Sequence, residues 1–224
     1  MILSTNQPNP TALQEDFVLK YLVNELQPAA GKKKALILMH GVGGNEQNMF
    51  NLSGYFPDDL LLVSARGPNT LGSGRYAWFE VDFSTGNPVI KEQQEAESRD
   101  LIRQFIRQVK QKYTLEDVYL GGFSQGAIMS CSVGLTAPET VKGIIAMSGR
   151  ILQQIRPSVQ PNPVLAGLNI FVAHGLHDSV LPIAYGREAK TYLESLNVRL
   201  TYHEYPIAHQ ITAEEMADVA AWMG

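Results

Sequence analysis

The chain has 224 residues, is 45% hydrophobic and 18% charged, and carries a formal net charge of -4. That hydrophobic share sustains one packed core and argues against a disordered chain, and the slightly acidic balance offers no basic surface for nucleic acid. The one cysteine, Cys131, excludes an internal disulfide and any cysteine-based metal spacing; it lies among small and apolar residues and reads as a buried structural thiol.

Residues 1–14, rich in Pro, Asn and Thr at their start, are expected to be flexible and lack the basic start and apolar stretch of a signal peptide. No apolar run reaches the roughly 20 residues that span a bilayer. The expectation is therefore a cytoplasmic protein without an integral membrane segment. Residues 17–23 are β-branched and aromatic and predict an edge strand. Lys32-Lys33-Lys34 reads as a solvated turn before the apolar run 35–39, which ends in His40-Gly41. Short continuous apolar runs mark strands buried on both faces. The same type recurs at 60–65, 118–121, 142–147 and 169–173, and a further strand is expected at 199–205.

Helical patterns lie between several of these strands. Residues 92–112 carry Ala96, Leu101, Ile102, Phe105, Ile106 and Val109 at helical spacing. Residues 125–136 form a second helix that closes before Pro138, and 182–196 a third that opens on proline. The last, 212–223, opens with Thr212 and Glu215 at capping-box spacing. Alternating strands and helices predict an α/β fold with a mostly parallel central sheet and helices on both faces. No linker or repeat divides the chain, so residues 1–224 are expected to form one domain. Residues 67–74 and 155–163 read as long Pro/Gly-rich surface loops.

Chemistry enters with Gly122-Phe123-Ser124-Gln125-Gly126, a G-x-S-x-G pattern between a strand and a helix. A sharp turn there lifts one hydroxyl above the sheet and leaves free helix N–H groups beside it. A serine hydroxyl needs a base, and in this arrangement an acid and then a histidine should follow in the chain. Asp178 comes after the strand 169–173 and His209 after the strand 199–205, both at the carboxyl ends where such sheets bind ligands. Among the other downstream histidines, His203 lies within a strand, His177 adjoins Asp178, and His174 ends a strand and is suited to supporting the loop. Glu204 and Glu194 are weaker candidates for the acid. Glycines in His40-Gly41-Val42-Gly43-Gly44 turn backbone N–H groups inward, so Val42 and Gln125 are the expected oxyanion donors. The loop is neither a phosphate-binding nor a dinucleotide fingerprint.

Taken together, Leu38-Met39-His40-Gly41, Arg66-Gly67-Pro68, Tyr76-Ala77-Trp78-Phe79, Gly121 through Gly126, Met147-Ser148-Gly149, His174-Gly175 through Asp178 with Val180 and Pro182, and His209 resemble the small α/β-hydrolase carboxylesterases. That group includes phospholipase/carboxylesterase proteins and acyl-protein thioesterases. The resemblance runs from about residue 35 to the C-terminus. It implies an α/β-hydrolase fold with no large lid domain, no cofactor or metal, and Ser124, Asp178 and His209 as catalytic residues. It also places Trp78 and Phe79 beside the acyl site, although the residues alone read as core aromatics, and Leu71 and Leu181 are further candidates for shaping a substrate pocket. Asn45, Glu80 and Ala208 depart from the family's usual aspartate, aspartate and glycine, which bears on substrate preference. The expected activity is hydrolysis of small or medium acyl esters. An acyl thioesterase or lysophospholipase on the same site, a peptidase or C–C hydrolase, and a non-catalytic binding protein of the same fold are the alternatives. The sequence leaves the oligomeric state open, a homodimer included.

Overall fold

The computed structural model describes residues 12–24, 34–82 and 89–224. Among them a seven-stranded sheet has the order β1-β3-β2-β8-β9-β10-β11. Its strands are β1 (Tyr21–Val23), β2 (Lys34–Met39), β3 (Leu61–Ala65), β8 (Asp117–Phe123), β9 (Gly143–Met147), β10 (Asn169–Gly175) and β11 (Arg199–Tyr205). Only β1 is antiparallel, along β3; the remaining neighbours run parallel. Two small hairpins stand apart, β4 (Asn69–Gly72) with β5 (Arg75–Ala77) and β6 (Val81–Asp82) with β7 (Val89–Ile90). The helices are α1 (Glu46–Phe50), α2 (Glu92–Tyr113), α3 (Gln125–Thr136), α4 (Pro163–Ala166), α5 (Ile183–Ser195) and α6 (Ala213–Met223).

Strand side chains alternate between two cores, as the pleat requires. Ile37, Ile144, Ile170 and Val172 face a cluster with residues of α2, α3 and α5. Leu36, Leu38, Ile145 and Phe171 face a second cluster with Met49 and Phe50 of α1 and Met216 and Val219 of α6. Burial on both sides explains why these strands read as continuous apolar runs. In α2 the buried stripe Ile102, Phe105, Ile106 and Val109 follows the helical repeat, with Glu92 and Glu95 in the first turn and Lys110 and Lys112 in the last, each suited to the dipole at its end. By contrast, α3 is buried from Gln125 through Leu135, because it lies between the sheet and α2.

The expected strand at 17–23 is shorter in the structure. Residues 16–19 bend, Phe17 stacks on Tyr21 at 5.1 Å, and only Tyr21–Val23 pairs with β3. Gln14 exchanges backbone hydrogen bonds with Tyr21; residues 1–11 lie outside the described residues, as do Lys32 and Lys33. The stretch 67–74 contains β4, and 155–163 runs from within a 3₁₀ turn, Gln153–Ser158, whose Ile155 is buried in the core, to the start of α4. Cys131 is buried, and burial pushes its thiol up to about 12.

Candidate active site

The carboxyl ends of β2, β8, β10 and β11 converge on one rim of the sheet. Ser124 ends the β8 segment in a left-handed conformation, φ 55°, and caps α3. Its N–H donates to Met147 O at 2.9 Å, which fixes the turn. Glycine is required on both sides: a Cβ on Gly122 would overlap the Gly126 carbonyl carbon, and one on Gly126 would overlap the Met39 carbonyl oxygen. This close approach brings β2 and its following loop against the serine.

Asp178 and His209 come from neighbouring loops that are bonded to each other. Leu176 N–H donates to Tyr205 O at 2.8 Å and His177 N–H to Ile207 O at 3.0 Å. The buried Asp178 carboxylate accepts from Val180 N–H and Leu181 N–H on one oxygen, each at 2.8 Å, and lies 2.6 Å from His209 Nδ1 on the other. His209 Nε2 lies 2.9 Å from Ser124 Oγ. A carboxylate offers only lone pairs, so Nδ1 carries the ring proton and Nε2 accepts from the hydroxyl. The structure thus brings Ser124, His209 and Asp178 into one chain of hydrogen bonds. The Phe123 ring packs on the imidazole at 4.8 Å.

The other candidates are placed elsewhere. His203 is exposed on β11 between Phe171 and Tyr205, and His177 is exposed. Glu204 is bound by Arg187 at 2.9 Å, whose hydrogen bonds hold its carboxyl down to about 2, and Glu194 pairs with Lys190. His174 is buried behind Asp178, with Nε2 donating to Leu181 O at 2.7 Å, so it braces the acid loop.

Across the rim, the loop after β2 is tied to β5: Gly43 N–H donates to Tyr76 O at 2.8 Å and Tyr76 N–H to Gly44 O at 2.9 Å. Among the described residues, the N–H groups of Val42 and Gln125 have no acceptor in the protein. A Cβ on Gly41 would stand 3.3 Å from Ser124 Cβ, so this loop abuts the serine.

Trp78 and Phe79 are 0% and 1% exposed and belong to the core, as the residues alone read. Their backbone is a strap. The Gln125 side chain accepts from Trp78 N–H at 2.8 Å and donates to Phe79 O at 2.7 Å; Trp78 Nε1–H donates to His40 O at 3.0 Å. Leu71 lies in the β4–β5 hairpin, and the Leu181 backbone holds Asp178 and His174.

Sequence reasoning missed three supporting groups. Buried His40 accepts from Gly67 N–H on Nε2 at 2.9 Å and faces Gly41 O with Nδ1 at 2.7 Å; burial lowers its pKa, and it remains neutral. Burial raises the Glu46 carboxyl, but the Arg66 hydrogen bonds, a backbone hydrogen bond and the Arg66 charge together hold it below its ordinary value, and it anchors α1 to the end of β3. The Gln125 carboxamide is the third. Only the Arg66-Gly67-Pro68 and His40-Gly41 pieces hinted at them, because the partners lie far apart in the chain.

The family model described as Phospholipase/Carboxylesterase matches residues 24–223. The chain is similar to acyl-protein thioesterase 1 of Candida albicans, 29% identical over 217 residues, covering 86% of this chain and 92% of that protein. Its fold is similar to a Bacillus cereus carboxylesterase, TM-score 0.77 at 23% identity over 91% of this chain and 92% of the other. It is also similar to a Mesorhizobium loti carboxylesterase, TM-score 0.79 at 21% identity over 96% and 98%. With a mostly parallel sheet, no large lid domain among the described residues, and the family model spanning nearly its whole length, this chain belongs to the phospholipase/carboxylesterase family of α/β-hydrolases, which cleave ester bonds.

Proposed function

We propose that this chain is a serine carboxylic ester hydrolase that works through an acyl-enzyme, with Ser124 as nucleophile, His209 as base and Asp178 as the acid that orients it. The observation that carries the reading is the hydrogen-bonded chain Asp178–His209–Ser124, at 2.6 Å and 2.9 Å. Ser124 Oγ attacks the ester carbonyl while His209 Nε2 takes its proton. Asp178 fixes the tautomer and stabilises the imidazolium. The alkoxide formed on the carbonyl accepts from the Val42 and Gln125 N–H groups, and loss of one such donor costs about 3 kcal/mol in the transition state. His209 then protonates the departing alcohol, and water, activated by the same imidazole, frees the acid. The scheme uses side chains, backbone N–H groups and water alone.

The test is hydrolysis of p-nitrophenyl butyrate. Ser124→Ala should lower kcat by roughly 10⁴-fold or more, and a fluorophosphonate probe should label the wild-type chain and not the variant. Full activity in Ser124→Ala would overturn the scheme. A second reading, acyl thioester hydrolysis on the same site, is supported by the naming of the Candida albicans relative as an acyl-protein thioesterase; a matched ester and thioester series ranks the two. The reading places the protein in the cytoplasm as one domain acting on a small ester, without nucleic acid, and light scattering decides between monomer and homodimer. Among the described residues no helix is long and apolar enough to cross a membrane.

A further inference from the structure

The carboxyl end of β9 reaches the same rim as Ser124 and leads through Ser148 and Gly149 to Arg150. Strand β9 is the neighbour of β8, and a Cβ on Gly149 would stand 2.6 Å from Ala127 Cβ, in the first turn of α3. Arg150 therefore lies close behind the serine turn. It lines a cavity of about 290 Å³ together with Ile90, Ile151, Leu152, Gln154 and Tyr185, the last in the first turn of α5 after the Asp178 loop.

Two residues that line this cavity carry hydrogen-bond donors without acceptors among the described residues. Among the described residues, Arg150 Nε and Gln154 Nε2 are both buried without a hydrogen-bond partner, as is Arg156 Nε. Among the described residues no carboxylate pairs with Arg150, whereas the nearby Arg156 is held by Glu188 at 2.6 Å. The Arg150 guanidinium instead lies over the Tyr185 ring, 5.3 Å from its centroid, which limits its swing. A half-buried cation with an unanswered N–H is costly unless a ligand supplies the acceptor. The guanidinium fork matches a carboxylate, and Gln154 adds a second donor from the adjoining turn. Two acids also line the cavity. Glu188 is neutralised by Arg156 and held by Gln153 at 2.6 Å, and Glu92 is exposed at the start of α2. Their charge disfavours a dianion such as a phosphate monoester and leaves a single carboxylate as the better fit.

We propose that Arg150, with Gln154, binds a carboxylate carried by the ester substrate, so that the enzyme prefers monoanionic esters to neutral ones. This rests on the hydrolase reading above. The test compares p-nitrophenyl monoesters of succinic, glutaric and adipic acids with the neutral butyrate, valerate and hexanoate, and 4-butyryloxybenzoate with phenyl butyrate. The first series places the carboxylate on the acyl part and the second on the leaving group. Wild-type protein should favour an anionic member in one series. Arg150→Gln should lower the anionic-to-neutral ratio of kcat/KM by about 10- to 100-fold, and Arg150→Lys should fall between. Isothermal titration calorimetry of the intact protein with monomethyl glutarate, a monoanion, should show binding that Arg150→Gln abolishes and that inorganic phosphate does not exceed. A ratio that does not change among the three proteins, or monomethyl glutarate binding that survives Arg150→Gln, overturns the proposal. If Ser124-dependent cleavage of neutral esters is found and the ratio is flat, only this inference fails. If no ester is cleaved, the hydrolase reading fails and calorimetry alone decides the role of Arg150.

Discussion

Asp178 has its acceptor positions divided with little slack, two backbone N–H groups on one oxygen and His209 on the other. An amide in its place offers one oxygen and one NH₂. If the oxygen keeps Val180 and Leu181, the NH₂ faces His209 Nδ1 and forces the opposite tautomer, so Nε2 can no longer accept the serine proton. Asp178→Asn should therefore lower kcat by roughly 10⁴-fold, with far-UV circular dichroism unchanged. A separate residue controls pH dependence of stability. Glu215 opens α6 as a buried acid, and burial pushes its carboxyl up to about 7 from an ordinary 4.5, with the Thr212 backbone offsetting part of that. Its folded pKa exceeds the unfolded one, so the unfolded chain releases this proton first and stability falls as pH rises from about 4.5 to about 7. Glu215→Gln should be more stable than wild type at pH 8 by about 1–3 kcal/mol, and urea titrations should show the gap closing by pH 5.

Element by element, the site depends on contacts between segments that are distant in sequence. The strap 77–79 is held by Gln125 from below and by Ser98 Oγ, which donates to Trp78 O, from α2. Gln125→Ala leaves Trp78 N–H and Phe79 O without partners inside the core. It should cost about 2–4 kcal/mol of stability by urea denaturation, and kcat should fall more than KM changes, because the proposed mechanism makes the same residue's N–H an oxyanion donor. Gly126→Ala should be worse, since its new methyl meets the Met39 carbonyl. The serine turn, the chain order of Asp178 and His209, and all seven sheet strands, β1 in a shorter form, were legible in the sequence because each depends on local residue type and on period. The hairpins β4–β5 and β6–β7 and the short helix α1 were not, since their strands and turns are too brief to show a period. The core position of Trp78 was obscured by the family resemblance, and the Gln125 carboxamide by the role already given to its backbone. Arg150 was silent because an unpaired charge is defined by what fails to surround it.

At the scale of the whole molecule, the sheet divides the interior into two cores, each with a tryptophan at hand. Trp78 lies in the α2–α3 core and Trp222 packs against the α1–α6 core, 5.8 Å from the Phe171 ring. One cooperative domain predicts that single-tryptophan variants, Trp78→Phe and Trp222→Phe, report the same urea midpoint after correction for each variant's own stability by circular dichroism; separated midpoints would mean two folding units. The sheet also gives the site two banks of different make. On one, the bonds Leu176–Tyr205 and His177–Ile207 weld the aspartate loop to the histidine loop. On the other, Gly43 and Gly44 are fastened to Tyr76 of an outlying hairpin that belongs to no large sheet. On the proposed mechanism, proton transfer is thus built on a rigid pier, while the Val42 oxyanion donor rides on a lighter gangway. On that mechanism, strain applied at the hairpin tip should reach the Val42 amide before it disturbs the imidazole, and should slow turnover with the proton relay still aligned.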